Sequence, residues 1–409
     1  MSQSFVVPKQ RSVVIGDGGN LDAFSRLRTA DPVTLFDSQL QYTTQPLLWD
    51  ESVTGTGVSS HLPNEASVRL STGGTGSGAG VTRRTKGYIR YQPGKSQLVA
   101  MTFVLGAAAT NVRKRVGYFD SNNGIFLEQS GGVQSMVRRT YTSGTATDTA
   151  VAQSAWNIDR FDGTGPSGKT LDFSKSQILI IDMQWLGVGR VRCGFDIDGI
   201  LYYAHEFRNA NSLSLVYMTS ANLPLSYEIS NTGTASGTTT MDCICCMVSS
   251  EGGFSDERGL KFSAANGITT ISVSTRRPVL SARMASTLNS IPYNGQVIFE
   301  NVDVYSSGVF VEVVLNGTLT GASWAAVNAT YSGMERDVSA TAISGGIVID
   351  SFYVSSSGGA GRNNGTVGIL GKIPFAKTIA GTSDILSIVC TSMSGAISTA
   401  ASLSWREIY

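Results

Sequence analysis

An all-β chain built from β-sandwiches is what this sequence predicts, and three observations predict it. Short apolar or alternating runs recur at intervals of about ten residues, separated by Gly, Asn and Asp turn signals. Glycine is abundant, 46 of 409 residues, without the three-residue repeat of a triple helix, so its use is in turns. The third observation is Leu171 to Asn209, which reads as an antiparallel unit by itself. Gln177 to Trp185 is a nearly continuous apolar run rich in Ile, a strand buried along most of its length. After the tight Leu186-Gly187-Val188-Gly189, Arg190 to Ile197 alternates with period two. Val191, Cys193, Phe195 and Ile197 share one face; Arg190, Arg192, Gly194 and Asp196 share the other. Asp198-Gly199 marks a hairpin turn, and the chain returns as ILYYAHEF.

Taken in order, residues 1–50 carry scattered apolar anchors with neither helical nor strand periodicity. Phe24, Leu27, Leu35, Phe36, Leu47 and Trp49 are its anchors. Alone, such a segment buries too little to offset chain entropy, so it must lie across another surface. It reads as an extended arm, either a strap over its own domain or an assembly arm docked on a neighbouring subunit. Residues 51–254 hold strands at Val68–Leu70 and Leu98–Leu105, then a meander punctuated by Asn122-Asn123-Gly124 and Gly131-Gly132. With the Leu171–Asn209 unit and Thr239–Val248, this region makes a jelly-roll or concanavalin-like β-sandwich. SSEGGFS at Ser249–Ser255 is the expected boundary. Residues 255–409 form a second β-sandwich, with Asn316-Gly317 as a hairpin turn and the final tail tied into a sheet.

Composition narrows function. Charged residues are 15% of the chain and net charge is +1, which argues against nucleic-acid binding through a general basic field. No run of eighteen apolar residues crosses a membrane, and the N-terminal stretch lacks a signal peptide's apolar segment, so synthesis without Sec export is expected. Five cysteines, odd in number and mostly within strand patterns, do not make a disulfide scaffold. Cys243-x-Cys245-Cys246 lacks the second pair or the histidines of a zinc site. No cofactor or metal is expected.

Catalytic candidates are sparse. His205-Glu206 are adjacent strand residues facing opposite sides. Asp159, Asp162, Asp172, Asp182, Asp196 and Asp198 invite a glycosidase or calcium reading, but WNIDRFDGTGPSG lacks the order of an EF-hand loop, and no acid pair is clustered along the chain. The linear sequence therefore predicts no enzyme. Arg83, Arg84, Lys86, Arg113, Lys114, Arg115, Arg138 and Arg139, interspersed with aspartates, suit inter-subunit ion pairs. Trp156, Tyr202, Tyr203 and Trp324 are candidate aromatic platforms for a glycan, with core packing as the blander account.

The stretches AFSRLRTADPVTLFDSQLQYTTQPLLWDE, RVGYFDSNNGIFLEQ, WLGVGRVRCGFDIDGILYYAHEFRNAN and NLPLSYEI, spanning residues 20–230, resemble structural proteins of tailed bacteriophages. The resemblance implies a non-enzymatic virion component of the tail, baseplate, neck or capsid surface, assembled in the host bacterial cytoplasm. Its implied partners are copies of itself, a trimer among the possible homo-oligomers, and other phage virion proteins. The alternative is an adhesion module that binds a host surface glycan or receptor, and the third reading is a glycan hydrolase. The arm and polar β-modules agree in kind with a symmetric particle.

Overall fold

In a computed structural model, residues 31–253, 259–355, 365–366 and 375–409 are described; Phe24 and Leu27 lie outside them. The fold is all-β, and among the described residues the only helical pieces are two short 3₁₀ turns, Pro63–Glu65 and Gln153–Ala155. Fifteen strands build the first sandwich: β1 (Val33–Gln39), β2 (Trp49–Thr54), β3 (Val58–Leu62), β4 (Ser67–Ser71), β5 (Gly80–Thr85), β6 (Gln97–Val104), β7 (Val112–Phe119), β8 (Gly124–Ser130), β9 (Val133–Thr140), β10 (Thr147–Ala152), β11 (Gln177–Met183), β12 (Val191–Ile197), β13 (Ile200–Phe207), β14 (Leu225–Asn231) and β15 (Thr240–Ser250). One sheet of eight runs β13-β12-β11-β6-β15-β4-β3, with β1 also paired to β15. The facing sheet of seven runs β10-β9-β8-β7-β14-β5-β2. All their pairings are antiparallel, so each strand alternates between the shared core and the outer surface.

β6 shows the rule most clearly. Gln97, Val99, Met101 and Phe103 are buried while Leu98, Ala100, Thr102 and Val104 are half-buried on the other face. Phe195 of β12 is fully buried among Trp156, Phe161 and Phe173, with ring centroids 6.3, 5.6 and 5.9 Å away. Asp198 and Gly199 turn the β12–β13 hairpin with φ of 58° and 78°, both in the left-handed region that Asp and Gly tolerate. The sequence of residues 31–50 gives no strand periodicity, yet β1 and β2 are strands, because each takes its hydrogen bonds from a partner already held in a sheet, β15 and β5.

The second unit also pairs two sheets. Ile397–Ile408 is flanked by Leu260–Ala265 and Gln296–Tyr305, and Arg277–Met284, Ile385–Ser392 and Gly308–Leu315 form the centre of the other sheet. Trp405 is fully buried in the core between them. The two units touch through hydrogen bonds that include Ile379 N–H to Asp50 Oδ2 at 2.7 Å, and Lys86 Nζ lies 3.5 Å from Asp384 Oδ1.

Candidate functional site

Strand alternation supplies the site's first half. β11 sends Leu179, Ile181 and Met183 into the core and leaves Asp182 on the outer face. Register sets Asp182 directly opposite Arg192 of β12, and the two form an ion pair. Counted from the Asp198-Gly199 turn, Tyr202 pairs with inward-facing Phe195 and Tyr203 lies opposite Gly194 on the outer face, after which a bulge at Ala204 brings His205 opposite Cys193. Tyr203 Oη donates to Asp182 Oδ2 at 2.9 Å, and Arg192 Cζ sits 4.2 Å from the centre of its ring. A Cβ on Gly194 would meet the Tyr202 carbonyl oxygen at 2.2 Å, so the closeness of the two strands requires glycine there. Burial and the neighbouring Asp182 charge push the Tyr203 phenol well above its ordinary value, which keeps it a donor.

The second half comes from sheet order. β6 lies between β11 and β15, with Gln97 opposite both Met183 and Ser250. The residues just beyond those three strand ends must therefore gather: Lys95 and Ser96, Gln184, and Glu251. Ser96 Oγ donates to Glu251 Oε2 at 2.8 Å, and Lys95 Nζ donates to the Gly252 carbonyl. The resulting cleft, about 250 Å³, is lined among others by Lys95, Asp182, Gln184, Arg190, Arg192 and Glu251. It brings together two carboxylates far apart in the sequence, with a guanidinium on one and a hydroxyl on the other.

Of the candidate aromatic platforms, Tyr203 alone contacts this cleft's carboxylate. Trp156 is corrected to a core residue, 3% exposed, its Nε1 donating to the Val151 carbonyl at 3.0 Å. Tyr202 packs half-buried on the first core. Trp324 lies in the second unit beneath Arg283, 4.4 Å from its ring centre. Among the arm anchors, Leu35 and Phe36 pack on the first core, Trp49 is buried in it, and Leu47 is exposed.

The basic residues proposed for an interface are engaged within the chain. Arg83, 1% exposed, pairs with Glu51 and stacks over Trp49 at 4.8 Å. Arg84 Nε donates to Ser226 Oγ, Lys86 approaches Asp384, and Arg113 pairs with Glu228. Lys114 is buried and donates to the Leu105 and Ala107 carbonyls; that burial pulls its ammonium down to about 8. Arg115 joins Glu128, Asp148 and Glu228, Arg139 holds Asp148, and Arg138 donates to Asn209 Oδ1. Of these, the Arg83–Glu51, Arg115–Glu128, Arg115–Glu228 and Arg139–Asp148 pairs exist because neighbouring strands of the seven-stranded sheet carry opposite charges at matched register.

The remaining motifs are structural. Burial tends to raise the Asp159 carboxyl, but the N–H groups of Phe161 and Ser167, at 2.9 and 2.7 Å, hold it below its ordinary value, so this acid staples its loop. A shift in register between β15 and β6 at Cys243/Cys246 turns both of those thiols inward and leaves Cys245 exposed. Among the described residues, no three His, Cys, Asp or Glu side chains gather as a metal site.

No protein-family model and no curated protein sequence matches this chain. Solved structures do. A β-glucanase of Bacillus licheniformis is 12% identical over 52% of this chain and 96% of its own, with a TM-score of 0.33. A glycosyl hydrolase family protein of Mycobacterium fortuitum is 8% identical over 53% and 99%, with a TM-score of 0.38. A Bacteroides ovatus mixed-linkage glucan enzyme solved with its product is 8% identical over 52% and 99%, with a TM-score of 0.36. These findings correct the expectation of a non-enzymatic phage virion component whose partners are virion proteins and copies of itself: the matched structures are hydrolases and transglycosylases. TM-scores of this size leave the chemistry to be argued from the cleft. There the premise of the non-enzyme reading also fails, since it rested on finding no clustered acid pair, and folding makes one. Asp182 is one of the six aspartates that the sequence offers, whereas Glu251 lies inside the expected boundary segment Ser249–Ser255. Its signal was a lone carboxylate closing a long core strand.

Proposed function

We propose that the protein binds and cleaves a carbohydrate in the cleft between Asp182 and Glu251. The convergence of these two carboxylates in one cleft, beside Tyr203 and Gln184, carries the reading. Glycosidic cleavage asks for two carboxyl groups with different tasks, one giving a proton to the leaving oxygen and one acting as nucleophile or base. Glu251 contacts the neutral Ser96 hydroxyl, which can donate to its carboxylate or accept from its acid form, so Glu251 is assigned as general acid. Asp182, held by Arg192 and Tyr203, is the carboxylate oriented for attack or charge stabilisation. Its cavity, just under the roughly 300 to 1,000 Å³ of enclosed small-molecule sites, fits a short stretch of sugar with the rest of a chain running over open surface.

The test is release of reducing ends from a panel of polysaccharides. Glu251→Gln and Asp182→Asn, each checked for folding by urea denaturation, are expected to lower the rate by about 10²- to 10⁴-fold, the range of positioned acid–base groups. Unchanged turnover in both folded variants would remove these residues from the mechanism. A second reading, binding without cleavage, is favoured by the occupation of Asp182 by Arg192; saturable binding with no product release would select it.

A further inference from the structure

We infer that the saccharide taken by this cleft is anionic, carrying a carboxylate or sulfate group, and that Arg190 and Lys95 recognise that group; this rests on the carbohydrate reading above. Lys95, Arg190 and Arg192 line the cleft against Asp182 and Glu251, an excess of one positive charge in a chain whose total is +1. Pairing sharpens the imbalance. Arg192 is committed to Asp182. Among the described residues Arg190 has a single long ion-pair contact, 3.6 Å, to Glu206, whose other oxygen already accepts from Arg208 at 2.6 Å. Lys95 donates to a neutral backbone carbonyl. The Arg190 side chain is 53% exposed, so its guanidinium fork can turn to a ligand without breaking a strong pair. A neutral sugar would leave both cations without a use, whereas a uronate or sulfate ester offers Arg190 a bidentate partner and Lys95 a point charge.

Isothermal titration separates the claims. A galacturonate hexamer, a sulfated carrageenan hexamer and an uncharged β-glucan hexamer are titrated into the full chain at low and at 0.5 M salt. At least one anionic oligomer is expected to bind about tenfold tighter than the neutral one, with the advantage shrinking at high salt as screening shortens to a few ångströms. Whichever anionic oligomer wins identifies carboxylate or sulfate as the recognised group. Arg190→Gln should erase most of that advantage, Arg190→Lys should retain part of it, and Lys95→Gln should reduce it independently. Equal affinity for neutral and anionic oligomers at both salts would overturn the inference and leave the carbohydrate reading standing. No binding of any oligomer would sink both.

Discussion

Phe195 is the residue on which the first core is most plainly tested. It is fully buried and touches three other aromatic rings, so Phe195→Ala removes transfer free energy and leaves a cavity that neighbouring strands cannot close. A loss of about 3 to 5 kcal/mol is expected in equilibrium denaturation; a loss under about 1 kcal/mol would contradict the packing. His205 makes a second residue-scale test. Burial lowers its imidazole below the ordinary 6.5, with Glu206 opposing more weakly. The unfolded chain therefore takes up a proton near pH 6.5 that the folded chain refuses until lower pH, so stability is full above 6.5 and declines as pH falls below it. His205→Gln should flatten that part of the pH–stability curve, read from urea midpoints between pH 5 and 8.

At the scale of elements, the hydrophobic pattern of single strands was legible and their irregularities were not. The alternation of Arg190–Ile197 assigned Cys193 and Phe195 inward and Arg192 outward, as the structure has them. The bulge at Ala204 of β13, between Tyr203 opposite Gly194 and His205 opposite Cys193, belongs to the pairing with β12, and nothing in ILYYAHEF announces it. The same holds for β15, where a strict period of two would put Cys243 and Cys245 on one face. The shift in register instead buries Cys243 and Cys246 and exposes Cys245. A thiol-reactive dye at pH 8 should therefore label one cysteine of the native protein quickly, Cys245, while burial keeps the Cys193, Cys243 and Cys246 thiols protonated and covered until denaturant is added. Rapid labelling of Cys243 in the native state would refute the register.

For the whole molecule, the junction between the two units is polar. Asp384 accepts from Asn316 Nδ2 at 2.8 Å and the Ala376 N–H at 3.1 Å within the second unit while facing Lys86 of the first. Asp50→Ala with Lys86→Met removes two of the cross-unit contacts and leaves both cores untouched. Calorimetry should then show unfolding split into two transitions, or one unit's midpoint lowered by about 2 to 4 °C for each kcal/mol of coupling lost. A thermogram identical to that of the parent chain would mean the units are coupled by other contacts.

The sequence by itself determined the all-β class, the long core strands and the hairpin turns, because period-two burial and left-handed turn residues are local properties written residue by residue. It identified Asp182 and Tyr203 only as members of longer sets of aspartates and aromatics, and Arg192 only as an outward-facing residue of an alternating strand. The cleft was decided by tertiary structure. Its second carboxylate, Glu251, shares the cleft with Asp182 because β6 pairs with both β11 and β15, and the order of strands in a sheet is set by long-range pairing that no short window of sequence contains. The fate of the basic residues was decided the same way: whether Arg83 or Arg115 is free for a partner depends on which acid the neighbouring strand sets opposite it, and register supplied Glu51, Glu128 and Glu228 from within the chain.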